Sequence, residues 1–209
     1  MAKAYDLKIK ITFTDEVLGT YSNNPEIQRE YISSKAPDAK TREEEIAAIG
    51  VEKAIEKSMT VFPKMEDGTP FMWGYQIKGF FKEEACSALN KVVGTLSSKL
   101  KAFKKEVDNR IFVYPKQIPI KLSGEMGNCQ RPIRTSGPQG ENTSLANSET
   151  IPAGSSIEFH VICFTKDDVG YVKEWLKYGH FKGFLQWRNS GKGTFEHEIL
   201  EEVEKEADW

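Results

Sequence analysis

"SSIEFHVICFTKDDVGYVKEWLKYG", residues 155–179, reads as a strand that runs directly into a helix. In the first half Ile157, Phe159, Val161 and Cys163 fall at every second position, and a period of two lays one row of side chains against a core. Thr165 then offers a hydroxyl to the free amides of a helix start, and Asp167 and Asp168 follow in the first turn, where the helix dipole favours negative charge. Val169, Val172 and Leu176 recur at helical spacing, and Gly179 supplies the stop. "TFEHEILEEV" (194–203) closes this unit as a strand or a frayed segment.

The same grammar extends toward the N-terminus. In "YDLKIKITFT" (5–14), Leu7, Ile9, Ile11 and Phe13 alternate with Lys8, Lys10 and Thr12, which predicts a half-buried strand. Residues 19–40 are rich in turn formers and predict a long loop. Thr41, with Glu44 three positions on, predicts a capped helix carrying Ile46, Ile49 and Ile55. Residues 15–74 thus read as an insertion with one helix. "YQIKGFFKEEACSALNKVV" (75–93) predicts an amphipathic helix starting near Lys78 or Gly79 and broken at Gly94. "LSSKLKAFKKEV" (96–107) predicts a second helix with Lys99, Lys101, Lys104 and Lys105 outward. "RIFVYP" and "QIPIKL" (110–115 and 117–122) read as short strands in which Pro115 and Pro119 mark an edge. Within 123–154, "CQRPIRTS" and "ENTSLANSETI" read as a projecting two-stranded arm. Stripped of insertions, the order is a split βαβ plan. The expectation is one α+β domain over residues 1–209, an antiparallel sheet with helices on one face.

Composition narrows the class. The chain has 209 residues, 39% of them hydrophobic, enough for a real core. Net charge is −2, yet residues 78–134 carry 12 basic and 5 acidic side chains, so a neutral total conceals a basic segment. Cys86, Cys129 and Cys163 are odd in number and far apart, which supports neither a disulfide framework nor a zinc site. With no apolar run of about 20 residues, no membrane span is expected, and the expected location is the cytoplasm. No cofactor and no metal are expected.

Three basic constellations stand out. "FKGFLQWRNSGKGTF" (181–195) combines Gly183, Gly191 and Gly193 with Lys182, Arg188, Lys192 and Trp187. Its backbone amides can form a nest for phosphate, its cations can hold phosphates, and Trp187 can stack on a base. The other reading is a surface turn in which Trp187 and Phe184 plug the core. In "IKGFFKEE" (77–84), Lys78 and Lys82 lie four apart at an expected helix start, where cations oppose the dipole and an anion would relieve the conflict. Arg131 and Arg134 on the arm, with the Lys-rich helix, can track a phosphate backbone or be ordinary solvated charge. The expectation joining the first two is that the glycine-rich loop and the start of the central helix lie side by side around a shared electropositive hollow. No GxxxxGKS/T, no GxGxxG between strand and helix, and no HExxH occurs. His180, beside Lys182 and Arg188, is the one histidine placed to act on an RNA phosphate.

Three features in order resemble the RAMP superfamily, the ferredoxin-like RNA-binding subunits of CRISPR ribonucleoprotein complexes. They are the strand and small-residue turn "LKIKITFTDEVLGT", the segment "YQIKGFFKEE" opening the central helix, and "KGFLQWRNSGKGTF" between the last helix and last strand. Two departures are visible: Tyr75 and Gln76 stand where that family has small residues, and the loop glycines are split. The chain is also similar to proteins encoded in phages and prophages. The resemblance implies RNA binding and does not by itself imply cleavage, and the expectation is a non-catalytic protein that binds single-stranded RNA. Its contacts would come from Lys78, Lys82, Arg131, Arg134, Lys182, Gly183, Trp187, Arg188, Gly191, Lys192 and Gly193. Two alternatives remain open. One is a phage anti-defence or assembly protein that mimics a CRISPR subunit or self-assembles. The other is a metal-independent endoribonuclease using His180.

Overall fold

Leu7, Ile9, Ile11 and Phe13 lie on one face of the first strand and are closed to solvent. The computed structural model describes residues 3–23, 59–137 and 140–206, without the side chains of 133–144. The helix expected from Thr41 lies outside the described residues.

In chain order the strands are β1 (Lys3–Phe13), β2 (Val17–Leu18), β3 (Tyr21–Ser22), β4 (Thr60–Val61), β5 (Phe71–Trp73), β6 (Ile111–Tyr114), β7 (Gln117–Lys121), β8 (Gly127–Gly137), β9 (Gly140–Ile151), β10 (Ser156–Cys163) and β11 (Phe195–Glu206). Among the described residues the α-helices are α1 (Gly74–Gly79), α2 (Ser87–Leu89), α3 (Phe103–Arg110) and α4 (Lys166–Tyr178). A π-helical stretch, Phe80–Cys86, joins α1 to α2.

The main sheet runs β11–β1–β10–β7–β5, with β6 on the far half of β10. All its pairings are antiparallel. Taking β6 and β7 as one interrupted strand, the chain traces strand, helix, two strands, helix, strand, with the last strand beside the first. This is the ferredoxin-like α+β arrangement. A second sheet holds β2, β9, β4 and β3, with β8 on β9. The 123–154 segment supplies its long hairpin, in register from Gly127 opposite Thr150 to Gly137 opposite Gly140.

The central helix departs from its expected form. It begins at Gly74, four residues before Lys78, where the Gln76 side chain accepts a hydrogen bond from the Trp73 amide at 2.9 Å. Lys78 therefore stands in the last turn of α1. Two buried pairs, Phe80/Phe81 and Ala85/Cys86, sit five residues apart. Ordinary helical winding would turn one pair off the core, whereas i→i+5 winding keeps both inward. The expected Lys-rich helix is also broken. A 3-10 turn (Ser97–Lys99) precedes α3, and Ala102, at φ 48°, caps it in the left-handed region. The Glu174 carboxylate accepts hydrogen bonds from the Leu96 and Ser97 amides, a tertiary hold that local periodicity does not reveal.

α4 follows its sequence closely. Thr165 Oγ1 accepts from the Asp168 amide and Asp168 accepts from the Thr165 amide, each at 3.1 Å, a reciprocal cap. Val169, Val172, Trp175 and Leu176 bury one face. The Trp175 indole N–H donates to Ser97 Oγ at 2.8 Å, which removes the cost of burying that group.

Candidate nucleic-acid interface

The glycine-rich loop is built from its two ends. Gly183 and Gly193 cross so closely that a Cβ on Gly183 would fall 2.0 Å from the Gly193 carbonyl carbon. Between them Phe184 enters the core, 4.6 Å from Phe195 and 4.8 Å from Phe80. Burying such a ring is worth roughly 1.5–3 kcal/mol. The plug is thus Phe184. Trp187 stays 41% exposed, so the loop fits neither sequence reading completely.

The expected phosphate nest is not open. The Gly193 amide donates to the Glu16 carbonyl at 2.8 Å, and the Gly191 amide to the Arg188 carbonyl at 3.2 Å. Gly191 and Gly193 serve the turn itself, at φ +87° and +70°.

The expected hollow is also rearranged. Loop and helix do lie side by side, fastened through Glu84. Its carboxylate is 2.5 Å from Lys182 Nζ and 2.7 Å from Arg188 Nη2. Lys82, two residues before Glu84 and so about half a turn round the helix, is turned away from this contact, and Lys78 joins it on the Asp108 side. Lys82 pairs with Asp108 at 3.0 Å, and Lys78 donates to the Asp108 carbonyl at 2.9 Å. Lys192 is held by Glu16 at 2.7 Å and Asp15 at 3.1 Å. The cations of the two motifs therefore point to separate faces, and Lys82, Lys182, Arg188 and Lys192 already have carboxylate partners.

The structure brings together a different pair. The Arg131 guanidinium, on β8, lies 4.8 Å from the centre of the Trp187 ring. Gln186 locks this contact. Its Oε1 accepts from Arg131 Nη2 at 2.7 Å, and its Nε2 donates to the Gly19 carbonyl at 2.9 Å. Arg131 Nη1 is buried and has no hydrogen-bond partner among the described residues. Arg134 sits on the same strand, its Cα opposite Thr143, and its side chain lies outside the described residues.

Sequence reasoning missed a second feature. Tyr21, Trp73, Tyr75 and Phe112 share a cleft with Lys78 and Lys116 beside the start of α1. The run "FMWGY" (71–75) carried part of the signal, an aromatic cluster around a glycine, but reads equally as core.

The histidines fall into two places. On the sheet face away from α1 and α4, His160 Nδ1 is 2.9 Å from Asp6, whose other oxygen accepts from Tyr114 at 2.5 Å and Lys205 at 2.6 Å. Burial opposes charge on Asp6, yet hydrogen bonds from Lys205, Tyr114 and His160 outweigh it and hold the carboxyl below its ordinary value. His180 and His197 line one cleft with Lys177 and Phe181. Burial, then the charge of Lys177, lowers the His197 imidazole below its ordinary value. Among the described residues no cluster of His, Cys, Asp and Glu is suited to a metal ion, and no helix is long and apolar enough to cross a membrane. The three cysteines are free thiols.

No family model and no curated protein matches the chain. Solved structures do match. One is a chain from the cryo-EM structure of the Type III-B Cmr-beta bound to cognate target RNA, with a TM-score of 0.58 and 11% identity. The similarity covers 96% of this chain and 61% of that one, so the present chain spans less than two thirds of its neighbour's length. At that identity the likeness is one of fold.

Proposed function

We propose that this chain is a RAMP-like, non-catalytic protein that binds single-stranded RNA where the β8–β9 hairpin meets the glycine-rich loop. The carrying observation is the Arg131–Trp187 stack. It joins residues from two distant parts of the chain and leaves the Trp187 ring 41% exposed. An indole face stacks on any base, and the positive charge of Arg131 beside it attracts the phosphate backbone. The fold neighbour's RNA-bound complex supports the reading, which places the chain in the cytoplasm within a CRISPR-type or other defence assembly, either as a subunit or as its phage-encoded mimic. Lys182, Arg188 and Lys192 shape the loop in this account, and their charge reaches RNA only over longer range.

The test is fluorescence anisotropy with a labelled mixed-sequence RNA 12-mer in low and moderate salt. Wild-type protein binds, with affinity falling steeply as salt rises, because each neutralised phosphate releases counterions. Trp187→Ala weakens binding by roughly 1–3 kcal/mol. Absence of binding by the wild type at low salt rejects the proposal.

A second reading, metal-independent cleavage of RNA, is favoured by the pairing of His180 with His197. The Phe195 amide donates to the Gly179 carbonyl at 3.1 Å, which sets both imidazoles within two residues of one hydrogen bond. One imidazole would take the 2′-hydroxyl proton as that oxygen attacks phosphorus, and the other would protonate the departing 5′-oxygen. Labelled RNA left intact by wild type in chelator rules this out. Cleavage to a 2′,3′-cyclic phosphate that His180→Ala abolishes would establish it.

A further inference from the structure

The cleft missed by sequence reasoning has a volume of about 560 Å³, within the roughly 300–1,000 Å³ typical of small-molecule sites. It forms because Gly74 lets α1 press against the edge strand: a Cβ there would lie 3.1 Å from the Pro115 carbonyl and 3.2 Å from that of Val113. Its rings are set as flat faces. Trp73 and Tyr75 stack at 6.1 Å with planes 18° apart, Tyr75 is 67% exposed and Phe112 is 40% exposed. Two lysines complete the lining, and it contains no carboxylate. Lys78 Nζ lies 4.7 Å over the Phe112 ring. Among the described residues neither Lys78 nor Lys116 forms an ion pair, unlike the cations of the glycine-rich loop. Burial holds the Lys78 ammonium below its ordinary value, a penalty that a bound anion would relieve.

We propose that this cleft takes a nucleobase of single-stranded RNA against Tyr75 and Trp73, with the adjoining phosphates on Lys78 and Lys116. The inference rests on the RNA-binding reading and extends it to a second contact point. Aromatic faces and two lysines without ion pairs among the described residues match a base and its phosphates, whereas an apolar peptide would use only the rings. The two contact points are anchored to neighbouring residues of one chain segment. Gln76 Nε2 donates to Thr20 Oγ1 at 3.3 Å, and Gln186, next to Trp187, donates to the Gly19 carbonyl.

The experiment measures anisotropy of a labelled adenosine octamer and of the same octamer abasic throughout, using full-length protein. Tyr75→Ala is expected to weaken binding of the adenosine octamer about tenfold and to leave the abasic one unchanged. Tyr75→Phe keeps the ring and should bind like wild type, and Lys116→Ala should flatten the salt dependence of both probes. Matched melting curves exclude unfolding as the cause. Octamer binding that Trp187→Ala weakens and Tyr75→Ala does not would overturn the cleft assignment alone. The same result with a Tyr75-dependent dimer in sedimentation would give the cleft to a second copy of the chain. No octamer binding by wild type at low salt would remove this inference together with the reading beneath it.

Discussion

Glu84 and Arg188 are joined by a 2.7 Å ion pair that fastens the glycine-rich loop to the central helix. Lys182 reaches the same carboxylate from its other side. Burial opposes charge on Glu84, but the Lys182 hydrogen bond and the Arg188 charge outweigh it, so the carboxyl sits below its ordinary value. Its contribution to stability is therefore present above the ordinary value of 4.5 and disappears as pH falls through the folded value. Glu84→Gln should cost roughly 1–3 kcal/mol at pH 7, measured by urea unfolding. The same variant releases two cations from their partner. RNA affinity at low salt should rise, and the dependence on salt should steepen.

The loop glycines divide by what surrounds them. Gly183 is wedged against the Gly193 backbone, whereas nothing lies within 4 Å of a Cβ built on Gly191. Gly183→Ala forces two backbone segments apart and should cost about 3 kcal/mol or more. Gly191→Ala suffers only its positive φ, roughly 1–2 kcal/mol. Equal losses in thermal melts would contradict this division of roles.

How much of this was legible beforehand differs by element. β1, β10 and α4 announce themselves because each buries one regular face, so period and cap agree with the tertiary outcome. The central helix was legible as a helix, but its start and winding were not. The Gln76 carboxamide bonded to the Trp73 amide and the five-residue spacing of buried pairs leave no simple periodic trace. Charge was the least legible property. Lys82, Lys182, Arg188 and Lys192 look free in sequence, while Asp108, Glu84, Asp15 and Glu16, up to 177 positions away, neutralise them. Arg131 and Trp187 were both visible as candidates, but only folding puts one over the other.

Asp6 predicts a defined acid response. It is 6% exposed and anchors Tyr114, His160 and Lys205 on the sheet face away from the helices. With its folded value below the ordinary 3.8, Asp6 stabilises the fold above that pH and loses this as pH falls further. Asp6→Asn should cost roughly 2–3 kcal/mol at pH 7 and reduce the fall in stability between about pH 4 and pH 2. Parallel wild-type and variant curves across that range would mean that the cluster does not titrate as a unit with folding.

His197 predicts the opposite kind of window, nearer neutrality. It lies opposite Ile11 on the helix side of the sheet, in the cleft that Lys177, His180 and Glu196 also line. Burial and then Lys177 disfavour its protonated form in the folded chain. The unfolded chain takes up that proton first, so stability is full above the ordinary value of 6.5 and declines as pH falls below it. His197→Gln should reduce the loss of stability between pH 7 and pH 5. Lys177→Ala should remove a smaller part, because it lifts only the second of the two causes. A stability curve unchanged by either substitution would place His197 in contact with water in the folded protein, contrary to its half-buried position under the end of α4.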